Sequence, residues 1–289
     1  LTLWTRLWPL LAVLGSVTAL GLGTSLAKQL LFPALGAQGT SALRLGFAAL
    51  MLLALWRPWR WPLRRAQALA LLRFGLAIGG MNLLFYLALR SVPFGLAVAI
   101  EFSGPLAVAL WHSRRPADFL WLALAVAGLA LLLPWGALAG SSAAQALDPA
   151  GVACAAAAGV CWAAYIVWGQ RLGPVPGGQA VSLGLLFAAL LVVPFGVAAC
   201  GAALLQPQFL LAGLLVAAVS SALPYSLEML ALRRLPPASF GIALATEPAV
   251  AALMGMALLH EQLSASQWLA IACVVAAAMG SATQARGKH

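Results

Sequence analysis

The chain has 289 residues, of which 64% are hydrophobic and 8% charged, with a mean hydropathy of +1.00. A soluble domain carries about 25% charged residues, so this composition excludes an ordinary soluble enzyme, a disordered regulator and a secreted disulfide scaffold. The net charge of +10 sits in short turns between apolar runs, which argues against nucleic acid as a partner and for a lipid bilayer.

A spanning helix takes roughly 20 apolar residues, so the chain has room for about ten spans and no separate soluble domain. In chain order the predicted spans cover 7–30, 36–56, 68–89, 93–112, 118–135, 150–170, 179–200, 208–232, 237–259 and 266–284. The runs are continuous rather than alternating, so they read as helices and not as barrel strands. The first follows Arg6 and is too long for a signal peptide. The chain opens on Leu1 rather than Met, as expected of a trimmed N-terminus.

The second span carries Arg44 about eight residues in and ends on Trp56, Trp59 and Trp61, an interfacial belt. The third places Asn82 and Tyr86 on one face at i, i+4, and its Gly75 and Gly79 are spaced for close helix packing. The fourth carries Glu101, then Ser103 and Pro105; the sixth pairs Trp162 with Tyr165 at i, i+3. In the eighth, Ser220, Ser221 and Tyr225 flank Pro224, and Glu228 lies nearer the end, beside Arg233 and Arg234. The ninth carries Glu247 and then Pro248. Lys28 reads as an interfacial cation with its head in water, and Asp118, Asp148 and Glu261 as solvated charges at loop ends. Cys154, Cys161, Cys200 and Cys273 form no C-x-x-C pair and read as small buried hydrophobes.

Of the 16 basic residues, 13 fall in turns and termini on one side, Lys28 and Arg90 fall on the other, and Arg44 lies inside a span. The positive-inside bias therefore puts both termini in the cytoplasm. The chain also repeats weakly. Leu87 to Arg90 corresponds to Leu230 to Arg233 at an offset of 143, as do Pro93 with Pro236 and Pro105 with Pro248. Phe47 to Leu50 matches Phe187 to Leu190 at 140, and Trp121 matches Trp268 at 147. The predicted fold is an all-α membrane protein of ten helices in two inverted five-helix repeats, 1–148 and 149–289, an architecture on which many secondary transporters are built.

Charged groups near the bilayer midplane are costly and mark function. Glu101, Glu247 and Arg44 all fall there by helix rise, and a proline follows each glutamate closely. A proline inside a span frees the carbonyl one turn earlier. Two readings stand side by side. Arg44 and a glutamate form a buried pair holding two helices, or they meet the charged ends of a zwitterion while a glutamate carries a coupling proton. Asn82, Tyr86, Ser103, Trp162, Tyr165, Ser221, Tyr225 and Glu228 complete the candidate site. Enzyme motifs fail. Ser25 to Lys28 fits S-x-x-K without its companion motifs, and His260-Glu261 lacks a second histidine. There is no G-x-x-x-x-G-K-[ST], so neither a nucleotide nor any other cofactor, nor a metal, is expected.

Several stretches resemble the bacterial threonine/homoserine exporters of the drug/metabolite transporter superfamily, which carry two EamA modules. They are Gly79 to Tyr86 (GGMNLLFY), Ala99 to Leu110 (AIEFSGPLAVAL), Ser113 to Pro116 (SRRP) and Ala222 to Met229 (ALPYSLEM). Ser25 to Lys28 (SLAK), Ala42 to Leu45 (ALRL) and Glu247 to Ala249 (EPA) are similar too. The resemblance covers nearly the whole chain. It implies ten helices, a bacterial inner-membrane location and export of amino acids, with aromatic amino acids, drugs or other small metabolites as the alternative cargo.

Overall fold

The computed structural model describes residues 3–60, 65–111, 148–172, 175–232 and 244–285, with scattered positions between 120 and 131. Among these residues every regular element is helical. The helices are α1 (Leu3–Leu30), α2 (Phe32–Trp56), α3 (Arg65–Ala88), α4 (Phe94–Glu101), α5 (Ser103–Trp111), α6 (Pro149–Gln170), α7 (Gly177–Cys200), α8 (Pro207–Ala217), α9 (Leu223–Leu232), α10 (Glu247–Leu259) and α11 (Ala265–Ala285). Six stretches are long and apolar enough to cross a membrane: Leu11–Leu30, Phe32–Trp56, Gln67–Ala88, Pro149–Gln170, Gly177–Leu205 and Pro207–Glu228. Phe94–Val108, Glu247–Leu259 and Ala265–Ala277 are shorter apolar helices. The predicted fifth span, 118–135, and the arginine turns near 114 and 233 lie largely outside the described residues.

Local chemistry explains the ends. Pro33 supplies a proline in the first turn of α2, so the helix starts at Phe32 and not at the predicted 36. The predicted boundary still marks a real break, because Gly36 adopts φ 60° and kinks the helix there. Arg57 closes α2 in the left-handed conformation, its N–H bonded to the Leu53 carbonyl. Asp148 caps α6 by accepting from the Ala150 and Gly151 N–H groups, with Pro149 in the first turn. It is exposed, as expected, and also accepts from the Ser91 hydroxyl at 2.7 Å. These bonds to the charged form hold its carboxyl below the usual range, Ser91 contributing most.

In lipid, helices associate through packing of small residues rather than through a hydrophobic drive. Accordingly Ala48, Ala49 and Leu52 of α2 lie in one buried cluster with Leu185, Ala188 and Val192 of α7. The Gly75 and Gly79 spacing does what it predicts: a Cβ at Gly75 would stand 2.6 Å from the Gly184 carbonyl oxygen of α7. The packing pairs elements from the two ends of the sequence. α2 runs along α7 and contacts α8; α3 lies on α6 and α7; α1 lies on α9 and α10; α4 lies on α10 and α6.

Two spans are interrupted. Between α4 and α5 the chain turns at Phe102, and Pro105 deprives the Glu101 carbonyl of its helical donor. Between α8 and α9 the residues Ala218–Ala222 form a π-helical turn just before Pro224. Trp168 near the end of α6 sits between the guanidinium groups of Arg73 and Arg171, 4.6 and 4.7 Å from its ring centre. The four cysteines are half-buried and unpaired rather than fully buried; the Cys200 thiol donates to the Leu35 carbonyl at 3.1 Å.

Candidate functional site

A cavity of about 490 Å³ is lined by residues of α1, α2, α3, α4, α5, α6, α9 and α10, within the usual range for small-molecule sites. Arg44, Asn82, Glu101, Trp162, Tyr165, Tyr225, Glu228 and Glu247 all line it. It reaches Gln170, an exposed residue at the end of α6. Phe85, Phe94 and Thr24 line it as well.

Arg44 organises one wall. It is 5% exposed, and neutral groups hold its guanidinium. Nε donates to Ser221 Oγ at 3.3 Å, Nη1 to Asn82 Oδ1 at 3.0 Å and Nη2 to the Ser220 carbonyl at 3.0 Å. The last contact follows from Pro224. With no N–H, this proline leaves the Ser220 carbonyl without its helical partner, and Arg44 supplies the missing donor. Asn82 is fixed in turn by donating to the Ile78 carbonyl at 2.9 Å. Among the described residues no carboxylate pairs with Arg44, so the buried Arg–Glu pair expected as one reading is absent there. A guanidinium has five N–H donors, three are engaged, and one remains on each terminal nitrogen.

Glu101 and Glu247 are 6% and 8% exposed, and both line the cavity. Among the described residues no hydrogen bond or ion pair reaches either carboxylate. Glu101 closes α4 and Glu247 opens α10. A helix start favours negative charge at the Glu247 position. The Glu101 backbone abuts α6, where a Cβ at Gly159 would stand 2.7 Å from its carbonyl oxygen. Glu228, read from the sequence as a local ion pair or a gate, belongs to the site as well. It lines the cavity and accepts from the Ser16 hydroxyl at 2.7 Å, while Arg233 and Arg234 lie outside the described residues.

Three predicted site residues do not line the cavity. Tyr86 is fully buried behind Arg44, its ring centre 5.6 Å from the guanidinium carbon. It shares a face with Asn82, as its spacing requires, but that face meets the arginine from behind. Ser221 is buried as an acceptor for Arg44. Ser103 sits against α6, its Oγ 3.3 Å from where a Gly159 Cβ would stand. Trp162 meets Phe102 edge-on at 5.5 Å, and Tyr165 stacks on Phe74 at 4.9 Å. Thr24, Met81 and the Ser220 carbonyl belong to the site but were not expected in it. Pro224 signalled the carbonyl, since the rule that a proline frees its i−4 acceptor applies there as it does at Pro105.

A polar latch closes the bundle beyond Phe94. Lys28 Nζ pairs with Glu261 Oε1 at 2.6 Å, with side chains 22% and 13% exposed. Glu261 Oε2 also accepts from the Phe94 N–H at 2.7 Å, capping α4. The Gln29 amide donates to the Leu258 carbonyl. Lys28 is therefore not an interfacial cation facing water, and Glu261 is not a solvated loop charge. Each supplies the partner that makes burial of the other tolerable.

Comparison with known proteins points to a family. Residues 149–283 match the EamA-like transporter family. The chain is 50% identical over 273 residues to the threonine/homoserine exporter RhtA of Salmonella typhimurium, covering 94% of this chain and 90% of that protein. It is 48% identical over 278 residues to the RhtA of Escherichia coli K12, covering 96% and 92%. A solved crystal structure matches with a TM-score of 0.57 over 96% of both chains, at 22% identity, a likeness of fold alone.

Proposed function

We propose that this chain, which belongs to the EamA-like transporter family and its RhtA-type exporters, exports threonine, homoserine and other neutral amino acids across the bacterial inner membrane. It is a multi-pass membrane transporter and not an enzyme. The observation that carries the substrate reading is Arg44, a buried cation without a carboxylate partner among the described residues, with two N–H groups left for a ligand. A planar guanidinium matches a carboxylate, and Glu101 or Glu247 across the cavity suits the ammonium. A carboxyl to spare can carry a coupling proton. All amino acids share these two ends, so the charges by themselves select weakly by side chain.

Transport proceeds by alternating access in ten helices, two inverted five-helix repeats spanning 1–148 and 149–289. The packing supports that symmetry. The third span lies on the sixth as the first lies on the eighth, and the second and seventh, like the fourth and ninth, face each other. Each half also carries a glutamate close before a proline in its fourth span, Glu101 before Pro105 and Glu247 before Pro248. With both termini in the cytoplasm, the Lys28–Glu261 latch seals the periplasmic side, and the cavity opens inward toward Gln170.

Counterflow in proteoliposomes tests the reading. Purified protein loaded with unlabelled threonine accumulates labelled threonine above empty liposomes, and a panel of amino acids competes. No accumulation with any amino acid, in monodisperse protein, would overturn it. Phe85, Phe94 and Trp162 in the cavity wall favour a second reading, export of aromatic amino acids or flat drugs, which dominant competition by aromatic amino acids would support.

A further inference from the structure

Away from its arginine and glutamates the cavity is largely apolar. Phe85, Phe94, Val98, Leu20 and Ala251 form its walls; Thr24 of α1 stands among them, 2% exposed, with its side chain on the cavity. Threonine and serine in a helix commonly satisfy their hydroxyl by bonding back to the carbonyl four residues earlier. Here Thr18, Ser220 and Ser226 do so. Among the described residues the Thr24 hydroxyl has no such bond, nor any other. It is not sealed in protein either, unlike the partnerless hydroxyls of Ser25, Thr40, Ser41 and Tyr86. What it faces is the cavity.

Its position ties it to the arginine wall. The neighbouring Gly23 packs so tightly on α8–α9 that a Cβ there would stand 2.6 Å from Ser220 Cβ, and Ser220 offers the carbonyl that holds Arg44. α1 thus presents Thr24 one residue from the contact that fixes the guanidinium. Thr24 and Arg44 line the same cavity, so an amino acid held by its carboxylate on Arg44 shares that space with this hydroxyl.

We propose that Thr24 is the specificity-determining residue that reads a hydroxyl group on the substrate side chain. The inference rests on the amino-acid exporter reading and deepens it. A hydroxyl entering the cavity loses water and finds Thr24 as its hydrogen-bond partner; a methyl group in its place leaves Thr24 unpaired. Sites built to bond a substrate hydroxyl reject the analogue that lacks one.

Threonine and valine form the isosteric pair for the test. In counterflow with the full chain, wild-type protein takes threonine over valine by about five- to tenfold, the worth of one net hydrogen bond. Thr24→Val brings that ratio close to one while valine flux continues, and Thr24→Ser restores it. A ratio within one variant does not depend on how much protein folds. If Thr24→Val carries neither amino acid, Thr24→Ala takes its place, and loss of the ratio is again required. Preference for threonine that survives in Thr24→Val or Thr24→Ala overturns the proposal, as does a wild-type protein that carries both equally; the exporter reading stands in either case. A wild-type protein that carries no amino acid overturns both.

Discussion

Lys28 and Arg44 are cations on adjacent helices with opposite surroundings. Lys28 is neutralised at 2.6 Å by Glu261, whose second oxygen caps α4. Arg44 lies deeper and is held by a serine, an asparagine and a backbone carbonyl, none of which carries charge. The first arrangement is complete without a ligand. The second fixes the orientation of a charge that no carboxylate contacts among the described residues, the feature on which the proposed exporter reading rests. A buried cation in neutral hands is costly, and a transporter recovers that cost when an anion arrives. The difference separates a charge already paired within the protein from one that the proposed function assigns to cargo.

Replacing the arginine should give the largest effect. Arg44→Gln keeps hydrogen-bonding capacity toward Asn82 and Ser220 and removes the charge, so threonine counterflow falls by about 100-fold with the melting temperature little changed. Arg44→Lys recovers only part, because an ammonium lacks the planar fork. Wild-type flux in Arg44→Gln would make the two cations alike, both structural. The carboxylates come next. Glu101→Gln or Glu247→Gln lowers flux by about tenfold or more without unfolding the protein, read as counterflow beside size-exclusion profiles. Normal flux in both variants would remove the zwitterion reading.

The latch sharpens the comparison from the other side. Glu261→Gln leaves Lys28 half-buried and unpaired and takes about 2 kcal/mol from stability, measured by thermal or denaturant unfolding in detergent. In a double-mutant cycle Lys28→Gln then costs little more, whereas Arg44→Gln and Glu261→Gln add independently. The smallest effect belongs to Asp148. Its carboxyl is lowered in the folded protein by Ser91 and by the first N–H groups of α6. The stability it contributes is present above the unfolded pKa and is lost as pH falls through the lower folded value. Asp148→Asn therefore flattens the pH dependence of melting below about pH 4, with little change in pH dependence at neutral pH.

The sequence reading located charges better than their partners. The helices among the described residues are legible because apolar runs are continuous and punctuated by glycine, proline and arginine. Arg44, Glu101 and Glu247 stood out because ionisable groups at mid-depth are rare. Their partners were not legible. Lys28 and Glu261 are 233 residues apart, and each alone looks like an interfacial charge. α3 and α7 are apolar around much of their circumference, so no stripe tells which face meets a neighbour. Tyr86 shows the limit: the spacing with Asn82 was right, but a shared face does not reveal whether it borders a cavity or backs an arginine. Thr24 was missed because one hydroxyl in an apolar helix is ordinary until the wall around it is known.

The proline that frees the Ser220 carbonyl has a consequence for how the site responds to substitution. The third anchor of Arg44 is main chain, so no side-chain replacement at residue 220 deletes it. What can withdraw it is an amide hydrogen four positions on. An alanine scan through the π-helical turn and α9 would record a loss at Pro224, a residue that offers Arg44 no polar atom, and little at Ser220, which holds it. The functional map drawn from such a scan would be displaced by one helical turn from the contact it reports.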